Sequence, residues 1–247
     1  MRAFIVAGRT FVSFYNELFL LIGISLFWWI TGGIFVGATM VLAYTALTLA
    51  ARQNVPLLST GNPLWLTPLF AIPAGPACAA LANLMRPAAR DLRADRSLFW
   101  EGFRAYWKKA LALSAISLAV LSLLLLNLLF YLSRSEPILQ VLAFLWAYLV
   151  VFWIGVLLYL FPVLIALKEP TIIGTLRTAI AMTFANPVFS VILVVIATAL
   201  TGLSIALPIL LLLAWPAVIG LLGEHSLKLF VERVRGPEEN ASEKGKA

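Results

Sequence analysis

Glu224 and His225 are neighbours, and an acid beside an imidazole can in principle pass a proton. Consecutive residues on a helix point about 100° apart, and no third partner accompanies the two, so the pair reads as interfacial. Glu17 opens a long apolar run. A carboxylate deep in a membrane would mark function, but one at a helix entrance is favoured by the N-terminal dipole. Asn83 and Asn127 sit in apolar stretches. They either line a pathway or hydrogen-bond to a neighbouring helix, worth about 0.6–2 kcal/mol in membranes, and packing is the simpler reading. The single cysteine, Cys78, has no partner for an internal disulfide, and with one histidine there is no Cys/His metal site. Serine-nucleophile motifs, HExxH, productively spaced acids and phosphate-cradling glycine loops are absent. We therefore assign no catalytic, cofactor-binding or metal residue and expect a protein that is not an enzyme.

The elements around these residues are set by hydropathy. Hydrophobic residues make up 62% of the chain and charged ones 12%, and the apolar runs include KKALALSAISLAVLSLLLLNLLFYLSR. A helix of about 20 such residues crosses the hydrocarbon core. Every backbone polar group there must be paired within its own segment, so the runs are helices. The expected fold is all-α: a polytopic transmembrane helical bundle of about six spans with interfacial amphipathic helices, forming one integral membrane domain over 1–247. The net charge of +7 could suggest nucleic acid, but the basic residues flank apolar runs and form no single stripe, so no nucleic-acid partner is expected. Contact with anionic headgroups is secondary. The first apolar stretch starts near Leu18 and runs too far for a cleaved signal peptide.

Residues 1–62 hold an N-terminal span and a divergent loop. The stretch Glu17–Ala51 would make roughly 50 Å of helix, too long for one upright crossing. Gly32-Gly33 in its middle suits either a kinked crossing with an interfacial extension, which we favour, or two short segments. Residues 63–167 form the first unit. Pro63, Pro68, Pro73 and Pro76 predict an irregular first half, then a helix from about Pro76 to Asp91. Gly75, Pro76 and Pro162 are candidate helix-break positions. Over 97–109, Phe99, Phe103, Tyr106, Trp107 and Ala110 follow helical spacing, with Glu101, Arg104 and Lys108 opposite, so an interfacial helix is expected, capped by Asp95 or Ser97. It feeds a span over 110–132, the turn SRSEP and a second span over 138–167. Trp146 and Trp153, seven residues apart, share a face.

Residues 168–232 repeat the plan: an amphipathic helix at 170–186, spans at 188–207 and 209–230, and a kink at Pro216. A charged tail, 233–247, is expected to be disordered. The two units begin on the same side, as parallel repeats do, although such alternation also arises without a repeat. The basic loops place both termini in the cytoplasm of a multi-pass cell-membrane protein.

IPAGPACAAL followed by RDLRADRSLFWEGFRAYWKKAL, with YLFPVLIAL and LRTAIAMTFANP later, resembles the YesL-type bacterial membrane proteins, a family of unknown function. The likeness rests on the order of Gly75-Pro76-Ala77, Arg90, Phe99, Phe103, Arg104, Asn127, Tyr131, Pro162 and Asn186-Pro187, and covers 70–232. It implies the bacterial inner membrane and a setting of carbohydrate uptake, with no reaction. The expected function is an accessory or scaffold component of solute uptake. The alternative is a small transporter or channel. Phe99, Trp100 and Phe103 are expected to anchor the interfacial helix in the bilayer, leaving Arg104 and Lys108 to face phosphates or a membrane transport complex. The eight tryptophans suit sugar stacking or, more simply, an interfacial belt that includes Trp65, Trp100 and Trp107.

Overall fold

The computed structural model describes residues 6, 8–10, 18–52, 63–90, 92 and 94–235. Glu17, the turn at 53–62 and the tail beyond Arg235 lie outside the described residues. The described residues are helical with no strand, and five helices are long and apolar enough to cross a membrane: Leu20–Leu49, Leu64–Ala88, Ser97–Leu132, Pro137–Ala166 and Pro187–Ala206. The chain is thus a transmembrane helical bundle, with five such spans where about six were expected.

The first span is continuous. α1 (Leu18–Trp28) passes through a π-turn at Trp29–Gly33 into α2 (Ile34–Arg52). The glycines serve close packing: a Cβ on Gly32 would come 2.6 Å from that of Ala77 and 3.3 Å from Ala74 Cα. The proline-rich stretch is more regular than expected, forming a 3₁₀ helix over Pro63–Ala74. Proline's fixed φ falls in the 3₁₀ range, and its missing N–H costs this tighter ladder only at Pro68 and Pro73. At Gly75-Pro76 the 3₁₀ helix becomes α3 (Gly75–Ala88), with proline in the first turn where its missing donor is not needed.

α4 (Ser97–Leu132) absorbs both the expected interfacial helix and the expected span into one 36-residue helix. At 1.5 Å per residue it is about 54 Å long, so nearly half extends beyond a 30 Å hydrocarbon core or tilts through it. No side chain caps its start; Ser97 Oγ donates to Asp95 Oδ2 at 3.0 Å instead. α5 (Pro137–Ala166) returns along α4. Trp146 stacks on Tyr131 at 6.0 Å, and Trp153 Nε1 donates to the Ser117 carbonyl at 2.8 Å, so both tryptophans face α4 as their spacing predicts. Pro162 does not break α5, which continues to Ala166.

α6 (Ile172–Ala185) starts at Thr171, whose hydroxyl accepts from Gly174 N at 3.1 Å, and buries Thr175, Ala179 and Met182. α7 (Pro187–Ala206) packs on α5. The last expected span is broken into α8 (Pro208–Leu213) and α9 (Trp215–Arg235). The break falls at Ala214, two residues before Pro216, which takes the first turn of α9 where its missing donor is not needed. α9 runs through Arg235, so the first residues of the expected disordered tail are helical.

α9 also turns away from α7. It packs chiefly against α3 and α5, and Pro216–Gly223 through Leu227 is buried with little interruption. Two apolar clusters meet along α3 and α9: one holds Ala79, Ala82, Leu222 and Leu227 with α5, the other Ala77, Leu84, Ala217 and Leu221 with α1. These two helices are the centre of the bundle.

Candidate functional site

Between α1, α2, the 3₁₀ helix, α3, α4, α5 and α9 lies a cleft of about 370 Å³. That volume falls in the range of small-molecule sites, about 300–1,000 Å³. Its walls are almost wholly apolar, and the polar groups on them are the Trp28 indole, the Cys78 thiol and the Ser114 hydroxyl. Two of the predicted helix-break residues, Gly75 and Pro162, are wall residues, and Pro76 is buried beside them.

Each wall owes its shape to a local rule. A Cβ on Gly75 would clash with Ser114 Oγ and come 2.7 Å from the Ala110 carbonyl, so α3 and α4 touch here nearly backbone to backbone. Pro162 cannot donate to the Leu158 carbonyl one turn earlier, and that carbonyl faces Gly223, where a Cβ would come within 2.8 Å of it. Gly220 fits against Met85 and Leu81 in the same way, at 3.1 and 3.3 Å. Gly75→Val should therefore force α3 and α4 apart at a cost of about 1–3 kcal/mol. An SDS titration of the purified variant in mixed micelles checks this; a wild-type midpoint would contradict the contact.

Three tryptophans close one side of the cleft: Trp28–Trp29 at 5.3 Å, Trp28–Trp215 at 5.6 Å and Trp29–Trp215 at 6.4 Å between ring centres. Trp29 Nε1 donates to the Leu211 carbonyl at 3.1 Å and Trp215 Nε1 to Thr201 Oγ1 at 2.9 Å. Trp28 Nε1 is buried with no hydrogen-bond partner.

About one helical turn beyond the cleft, a polar cluster closes the end where α3, α5 and the second half of α9 meet the start of α4. Arg86 donates to the Ile165 carbonyl at the end of α5, and Lys228 Nζ to the Ala89 carbonyl after α3, at 3.0 Å. Both cations occupy helix C-termini, where the carbonyls lack N–H partners and the dipole is negative. Glu224 and His225 are here, 4% and 3% exposed. This corrects their interfacial reading: α9 is central, so its polar residues are enclosed. His225 Nδ1 bonds the Leu221 carbonyl of its own helix at 2.9 Å. Glu224 instead lies in the field of Arg86 and Arg90, and its Oε1 has no hydrogen-bond partner. Sequence reasoning missed this grouping because Arg86 and Glu224 are 138 residues apart and nothing local links them.

Of the five candidate contact residues on α4, Phe99 is turned inward, 1% exposed, among α1, α3 and α9 residues. It is not a bilayer anchor. The inward stripe is Phe99, Gly102, Ala110 and Leu113, and a Cβ on Gly102 would come 2.6 Å from Asn83 Cβ. Asn83 itself ties the helices, Nδ2 donating to the Leu98 carbonyl at 2.7 Å, whereas Asn127 bonds only its own helix, at Leu123. Phe103 is half-buried; Trp100, Arg104 and Lys108 are exposed, Lys108 Nζ lying 5.4 Å over the Trp107 ring.

No protein-family model, curated protein or solved structure matches this chain. What the protein does has to be argued from its own geometry.

Proposed function

We propose that this is a non-enzymatic membrane protein acting as an accessory or scaffold component of a larger membrane assembly, with its basic end in the cytoplasm. The setting of carbohydrate uptake and the kinship with YesL-type proteins rest on the quoted motifs. One observation carries the scaffold reading: the charged first turns of α4 are the rigid start of a spanning helix, locked to α3 through Phe99, Gly102 and Asn83, with Glu101, Arg104, Lys108 and Lys109 exposed. A helix held this firmly presents a preorganised charged face to a partner or to anionic lipid.

Arg104→Glu/Lys108→Glu should reduce co-purification of partner proteins in mild detergent at least about fivefold, as expected for losing two steering charges, while the bundle stays folded. Partner recovery equal to wild type would remove the scaffold reading.

The broken elements around the cleft support a second reading, a small transporter, since such helices surround transporter sites. Its apolar walls suit a hydrocarbon-like solute and offer a sugar too few hydrogen-bond partners. Saturable transfer of an apolar solute by liposomes holding the pure protein would favour this reading over the scaffold.

A further inference from the structure

We propose that the cleft binds a membrane-dissolved hydrocarbon bearing a carbonyl group, with the Trp28 N–H as the donor that holds it. The walls come from seven elements and carry three polar side chains, all of which can donate a hydrogen bond: the Trp28 indole, the Ser114 hydroxyl and, more weakly, the Cys78 thiol. Indole N–H is a donor only, so what satisfies it must be an acceptor.

The three packed tryptophans make the contrast internally. Trp29 and Trp215 each give their N–H to a protein oxygen. Trp28, 3% exposed and on the cleft wall, gives its N–H to no protein oxygen. The group set against that N–H is the Cys78 sulfur, a weak acceptor. Buried donors are seldom left unpaired, and an exception lining a pocket of ligand size points to a ligand. An ion or sugar is poorly matched to these walls. A carbonyl carried on an apolar body meets both requirements, its oxygen on the indole and its body against the Trp28 and Trp215 rings. The bilayer offers such carbonyls in two forms, the ester of an acyl chain and the ring carbonyl of a quinone.

The test uses the full chain in maltoside micelles and records the unfolding temperature while decylubiquinone, methyl laurate or dodecane is titrated. We expect a saturable rise with decylubiquinone, methyl laurate or both, and none with dodecane. A response to the quinone alone assigns the ring carbonyl, and one to the ester alone assigns the acyl ester. Trp28→Phe keeps a ring but loses the donor, and should raise the half-saturating concentration about fivefold, the worth of one hydrogen bond. Should that variant not fold, Ala71→Phe, which fills the cleft from the 3₁₀ helix, should abolish saturation. Dodecane binding as well as the carbonyl probes, an unchanged half-saturation in Trp28→Phe, or no saturable response to any probe would each overturn the proposal.

Discussion

Arg86→Met should destabilise the bundle by about 2 kcal/mol, within the range of about 1–3 kcal/mol for leaving a buried acceptor without its donor. The guanidinium has two tasks. It satisfies the Ile165 carbonyl at the end of α5, and its charge offsets that of Glu224 on α9. Methionine fills a similar volume but performs neither task. The Ile165 carbonyl loses its donor, and Glu224, 4% exposed with one oxygen already unpaired, loses the positive charge nearby. Water reaches part of the half-buried Arg86, which keeps the effect from the upper end of the range. The variant would be measured by SDS titration of the folded fraction in mixed micelles. Arg86→Met/Glu224→Leu should recover part of the loss, because the buried acid that Arg86 faces is gone while the Ile165 carbonyl still lacks its donor. A double variant no more stable than the single one would locate the effect in the α5 carbonyl alone.

Phe99→Ala should cost about 3–5 kcal/mol, while Trp100→Ala should stay within about 0.5 kcal/mol. The two rings are adjacent and in edge contact at 5.7 Å, yet one is enclosed and the other is 43% exposed. Emptying the Phe99 site leaves a hole in the apolar cluster that also holds Leu21, Leu84 and Met85, and α3 cannot close it because Asn83 already abuts Gly102. The same titration compares the two variants. Equal losses, or a larger loss for Trp100→Ala, would restore the reading of both residues as bilayer anchors.

These predictions mark where sequence patterns stop. The long leucine-rich run of α4, the SRSEP turn, the return along α5 and the shared face of Trp146 and Trp153 were all legible, because length and periodicity alone dictate them. The proline at the head of α3 was legible for the same reason: its missing donor restricts it to a few places. Pro162 was misread as a break by that rule. α5 tolerates it because it lies one turn from the helix end, and the carbonyl it leaves free faces Gly223 on a helix far away in sequence.

The amphipathic pattern of 97–109 correctly identified a helix with an apolar stripe, but not what the stripe faces. Phe99 was assigned to lipid and lies against α3. Likewise the last expected span, 209–230, is broken, and its α9 part is enclosed against α3 and α5. Amino-acid order by itself determined that these segments are helical and belong in a membrane, since the exclusion of water from the hydrocarbon leaves the backbone no alternative. Which apolar side chain meets lipid and which meets protein was decided only in three dimensions. Both surroundings are equally greasy, so hydropathy cannot tell them apart; the choice falls to shape, to glycines such as Gly75 and Gly223 that let backbones touch, and to distant polar partners such as Arg86 and Glu224.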